Sequence, residues 1–70
     1  MVNKIQQKIW AKNKSNQILK AVIGSDELVD RWWVSPNLAF DSKTPQEVWD
    51  TDDWVTVFNY VKGQLNSDYS

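Results

Sequence analysis

"RWWVSPN", residues 31–37, decides how this chain is read, because two tryptophans stand side by side just before a proline. Pro36 disfavours helical geometry in the residue ahead of it, so a helix carrying Trp32 and Trp33 has to end near Val34 or Ser35. Upstream, Ser25 followed by Asp26 and Glu27 is a helix start, a capping hydroxyl and then two acids at the positive end of the dipole. Between these signals Leu28, Val29, Trp32 and Trp33 form two i, i+4 pairs. At 3.6 residues per turn the four span about 140°, one broad face. Both rings can therefore meet protein on different flanks of that face. Periodicity leaves open which flank serves this chain's own core and which serves another chain.

Working outward toward the N-terminus, Val2, Ile5 and Ile9 recur at helical spacing with Lys4, Lys8 and Lys12 on a neighbouring face. Asn13, Lys14, Ser15 and Asn16 include weak helix formers and two possible N-caps, so this segment either breaks the helix or is carried through it. A second apolar set, Ile18, Leu19, Val22 and Ile23, is rotated relative to the first. The rotation predicts a kink or restart near Ser15, which would set a basic helix over 1–14 apart from a unit over 15–65. Gly24 stands where a C-terminal cap belongs.

Toward the C-terminus, Asn37 to Lys43 reads as a loop or single turn. "TPQE" from Thr44 supplies a capping threonine, Pro45 at the first helical position and Glu47 three residues after the cap. That helix is short, through Val48 and Trp49, and "TDD" from Thr51 repeats the device. A last helix carries Trp54, Val57, Phe58, Val61 and Leu65 on one stripe, with Lys62 near its negative end. Gly63 weakens its last turn by about 1 kcal/mol. Residues 66–70 read as a frayed polar tail. No strand-like alternation of useful length occurs. The expectation is one all-α domain, a small bundle of four to five short helices.

The chain has 70 residues, and a domain of that size buries only about 60% of its unfolded surface. Without cysteine no disulfide supports it, so five Trp, two Tyr and two Phe must supply a dense core. The same lack of cysteine fits a cytoplasmic protein. Histidine is absent too, which removes the commonest general base, the usual triads and most zinc sites, so no cofactor or metal is expected. No apolar run approaches a membrane span and no signal-peptide layout opens the chain. Net charge is -1, yet residues 1–20 hold five lysines and no acid, whereas the rest holds three basic residues against nine acidic ones.

The stretch from Asp30 to Leu65 resembles the toxin-binding domain of the MbcA/ParS/Xre antitoxin family. That pattern runs Trp-Leu, two spacers, Pro-Asn, an Ala-Leu-Gly-Gly-like loop, Thr-Pro, a short turn, a Thr and a final helix of spaced valines and leucines. Here Trp32 stands at the Trp, Trp33 at the Leu, Pro36 and Asn37 at Pro-Asn, Ala39 at the Ala, and Thr44 and Pro45 at Thr-Pro. Thr51 precedes the last helix as the pattern asks. With Ile18 to Asp30 ahead of it, the likeness covers much of the chain. Phe40 replaces the loop leucine, Asp41 and Ser42 the two glycines, Gln46 an apolar residue, and Trp54 a common glycine. The residues ahead of the matching region are too few for the family's helix-turn-helix module. The resemblance implies the toxin-binding half alone, an all-helical domain that self-associates and blocks the active site of a toxin, often a RES-type enzyme acting on NAD.

Three functions compete. The first is a protein-binding inhibitor of antitoxin type, or equally a phage or mobile-element product that blocks a host protein with the same surface. Trp33 and Trp49 sit where the family has leucine and Tyr60 lies opposite the last helix's stripe, and Trp and Tyr are over-represented in interface hot spots. Trp33, Trp49, Tyr60, Phe40 and Asn37 are the partner-contact candidates, with core packing the competing reading for the tryptophans, while Trp32, Trp54 and Phe58 are expected in the core. A homodimer burying an apolar face is expected. The second is nucleic-acid binding through Lys4, Lys8, Lys12 and Lys14 with Trp10, against which stand the acidic remainder and the single arginine. The third is an enzyme using Asp52-Asp53 or Glu47-Asp50, although acids at helix starts ordinarily serve caps and dipoles.

Overall fold

The first helix begins where Asn3 takes the backbone N–H of Gln6 at 2.8 Å and the Gln6 side chain takes the N–H of Asn3 in return. This capping box went unread in the sequence. The computed structural model describes residues 3–66, with side chains through 64. Val2, the side chain of Leu65 and the tail over 67–70 lie outside the described residues. Helix α1, Lys4–Ile23, ends at Gly24, whose φ of 93° is the left-handed geometry an L side chain resists. Its N–H closes the helix on the Lys20 carbonyl at 2.7 Å.

The restart expected near Ser15 is absent, and α1 runs unbroken for 20 residues. Ser15 is fully buried, and its hydroxyl donates to the Ala11 carbonyl one turn back at 2.8 Å, so the polar side chain is satisfied within the helix. Asn16 accepts a hydrogen bond from outside the helix, described below. The division of the chain at residue 15 therefore does not appear in the backbone.

Helix α2, Asp26–Val34, starts on the Ser25 hydroxyl, which accepts the Leu28 N–H at 3.4 Å, and stops before Pro36 as the sequence requires. A 3₁₀ turn over Leu38–Phe40 follows. Helix α3, Pro45–Trp49, carries the expected capping box between Thr44 and Glu47. Thr51 then joins α3 to α4, donating to the Val48 carbonyl at 2.6 Å and accepting the Asp53 N–H at 3.1 Å. Helix α4 spans Trp54–Asn66. Lys62 lies one turn before its end, with Nζ 4.6 Å from the Phe58 ring centre rather than at the last carbonyls. The result is all-α, four helices and one 3₁₀ turn among the described residues.

Contacts run from α1 to α4, α4 to α3, α3 to α2 and α2 back to α1, so the helices close a ring around the core. The most extensive of these joins α1 to α4. On α1 the buried positions are Ala11, Ser15, Ile18 and Leu19, at i, i+4, i+7 and i+8. The small residues Ala11 and Ser15 let a neighbouring backbone approach closely. On α4, Val57 and Val61 are fully buried.

The loop from Asn37 to Lys43 folds on itself. The Asn37 N–H donates to the Lys43 carbonyl at 3.0 Å, the Ser42 N–H to the Asn37 carbonyl at 3.1 Å, and Asn37 Oδ1 accepts the Ala39 N–H at 2.9 Å. Closing so short a loop turns the backbone left-handed at two consecutive residues, Asp41 with φ 57° and Ser42 with φ 67°. Aspartate tolerates that region better than serine does. Ser42→Gly is accordingly expected to raise stability by about 0.5–1 kcal/mol, the relief of strain being partly offset by a more flexible unfolded chain. Thermal melts check this through a rise in Tm of a few degrees.

Candidate functional site

Both tryptophans of the 31–37 stretch join the protein's own packing. Trp33 is buried and Trp32 half-buried. The Trp33 indole N–H donates to Asn16 Oδ1 at 2.7 Å, which gives the polar edge of a buried ring the partner it needs. Trp33 also meets Trp32 edge-on at 5.1 Å and Trp49 edge-on at 5.5 Å, and Trp49 continues to Trp54 at 5.5 Å. On the other side Trp32 stacks on Tyr60 at 6.3 Å, and Phe40 meets Tyr60 edge-on at 5.2 Å. Six aromatic rings thus form one continuous internal chain, each pair in an arrangement that adds to plain burial.

That chain corrects three of the expected contact residues. Trp33, Trp49 and Phe40 are exposed by 5%, 3% and 6%, so most of each ring faces the protein's own interior. Tyr60, expected outside, is half-buried against Trp32 and Phe40. Asn37 is half-buried and uses its side chain to cap the 3₁₀ turn. Of the residues expected in the core, Trp32, Trp54 and Phe58 are half-buried around it. Pro36 is exposed and ends α2, Pro45 is fully buried, and Thr44 and Thr51 serve the caps already described.

The basic set is not one surface. Lys4 and Lys14 are exposed and Lys8 half-buried, but Lys14 lies two residues beyond Lys12 and so about 200° around the helix from it. Lys12 is turned inward. Its Nζ sits 4.0 Å from the Trp33 ring centre and 5.5 Å from that of Trp49, and it donates to Gln46 Oε1 at 2.8 Å. Gln46 Nε2 in turn donates to Asp50 Oδ1 at 3.0 Å, a polar relay from α1 to α3. Trp10, the aromatic paired with these lysines in a nucleic-acid reading, instead meets Phe58 edge-on at 5.8 Å on the α4 side. Of the acids considered for acid–base work, Glu47 is engaged in its capping box and Asp50 with Gln46, while Asp52 and Asp53 are exposed.

Burial lowers the Lys12 pKa below the ordinary 10.5, with Lys8 adding to the effect and Asp50 opposing it. The unfolded chain therefore holds this proton more tightly, and stability rises with pH on the approach to 10.5. Lys12→Met is expected to abolish that rise. Urea midpoints measured at neutral pH and at about pH 10 for both proteins check it.

The two described residues of the first apolar stripe, Ile5 and Ile9, lie outside the core. Ile5 is 71% and Ile9 57% exposed. With Lys8, Lys12, Gln46 and Trp49 they line a groove of about 370 Å³ between the start of α1 and α3. The rotation between the two apolar sets was the available signal. On a bent helix it would bring both sets to one core, whereas on a straight helix it gives one set to the core and the other to solvent. No protein-family model, no curated protein and no solved structure matches the chain. Among the described residues no helix is long and apolar enough to cross a membrane.

Proposed function

We propose that this chain is a non-enzymatic protein-binding module of the antitoxin type, acting by covering the working surface of a partner protein. One observation carries the reading beyond the bare resemblance. The two positions at which the antitoxin pattern has glycines are Asp41 and Ser42, and among the described residues these alone, glycines aside, have positive φ. The backbone there has the geometry that glycine favours although the side chains differ. The flanking pattern residues support the same loop, Asn37 by capping the 3₁₀ turn and Thr44 by starting α3. The partner the resemblance implies is a RES-type enzyme acting on NAD, in the cytoplasm.

Affinity capture with the full chain, followed by assay of the recovered protein, tests the proposal. The expected result is one protein in stoichiometric yield whose NAD-degrading activity falls as more of the chain is added. Recovery of nothing above a non-binding control, or of a protein whose activity the chain leaves unchanged, contradicts it.

A further inference from the structure

Among the described residues the Ile5–Ile9 face takes no part in the core. The inward face of α1 is fixed by Ala11, Ser15, Ile18 and Leu19, and continuing it toward the N-terminus leads to Lys4, Gln7 and Lys8, which are exposed or half-buried. Ile5 and Ile9 stand roughly 100° away from that face on the same continuous helix. They adjoin a groove whose floor includes the buried Trp49 ring. An exposed isoleucine pair one turn apart beside an interhelical groove is the geometry that receives another helix.

The surrounding charge selects what kind of helix. Lys4, Lys8 and Lys12 follow one another at i, i+4 along the edge of this face, and residues 1–20 contain no acid. An antiparallel symmetric pairing of two copies through this face would set that lysine edge against itself, which disfavours a second copy in that arrangement. We propose that the groove between α1 and α3 docks an acidic amphipathic helix of a partner protein, its apolar residues on Ile5 and Ile9 and its carboxylates toward Lys4 and Lys8. Asp50, held by Gln46 on the opposite wall, faces the other edge of that helix and favours hydrogen-bond donors there. The proposal rests on the preceding reading only in that a partner protein exists.

The probe is a labelled synthetic peptide of about four helical turns, with leucines at i, i+3, i+4 and i+7 and glutamates beside them. Its binding is followed by fluorescence anisotropy and by backbone amide shifts of the full chain. Saturable binding is expected, with shifts concentrated over 5–13 and 46–50. The Ile5→Asp/Ile9→Asp protein should bind at least about tenfold more weakly. Both side chains are exposed, so an unchanged circular dichroism spectrum will show that this variant remains folded. A peptide with lysines in place of the glutamates should not bind.

Several results overturn the assignment: no saturable binding, equal binding of the lysine peptide, or shifts confined elsewhere. A wild-type dimer that the double substitution dissociates would give the face to a second copy and overturn it too. If affinity capture yields an inhibited partner that the double variant still holds, the docking site is wrong while the binding-module reading stands. If the acidic peptide binds as expected and capture yields nothing, the groove stands and the antitoxin-type reading fails.

Discussion

Replacing Trp33 by alanine is expected to cost about 3–5 kcal/mol, enough to leave much of a 70-residue domain unfolded at 37 °C. The ring is 5% exposed and joins two halves of the aromatic chain, Trp32 on one side and Trp49 on the other. Removing it strips Lys12 of the ring over which its ammonium sits at 4.0 Å and leaves Asn16 Oδ1 without its donor. Asn16→Ala isolates the second of these losses. It leaves the indole N–H without its partner and should cost about 1–3 kcal/mol. A double-mutant cycle between Trp33→Phe and Asn16→Ala, read by urea unfolding, should return a clear coupling energy. A Trp33→Ala protein with a wild-type midpoint and a lost partner would instead assign this residue to a contact surface, the other reading that the sequence left open.

The second large effect separates the two apolar faces of α1. Leu19→Ala is expected to cost about 2–5 kcal/mol, because Leu19 is 2% exposed among Ala11, Ser15 and Ile18 and its loss leaves a cavity. Ile9→Ala, on the same helix, should change stability by no more than about 0.5 kcal/mol. Had α1 been bent at Ser15 with both stripes turned inward, the two substitutions would cost similar amounts. Urea midpoints of the two single variants distinguish the cases.

How much of this was legible in the sequence depends on whether the signal was local. Ser25, Gly24, Thr44 and Pro36 fixed helix ends because caps and proline act on their immediate neighbours, and the structure has each boundary there. The order of Trp32 and Trp33 was not legible. Both lie on one broad face, and the choice is made by Asn16, 17 residues away, whose amide accepts the indole N–H. The same asparagine shows only a weak helix propensity in a lone sequence and not its distant partner. The lysines were legible as charges but not as a surface, because Lys12 is drawn over Trp33 and Trp49 by contacts across three helices. The stripe rotation was visible from the start. Only the unbroken course of α1, within which the Ser15 hydroxyl is satisfied on the Ala11 carbonyl, turned it from a break into a second face.

The account turns on that second face being unused by the fold. Urea unfolding of the Ile5→Asp/Ile9→Asp protein measures this most directly. Ile5 lies in the first turn of α1, where an added carboxylate meets the positive end of the dipole. The unfolding free energy should therefore stay within about 1 kcal/mol of wild type. A loss of about 3 kcal/mol or more would mean that the isoleucines belong to the core and that no second face exists.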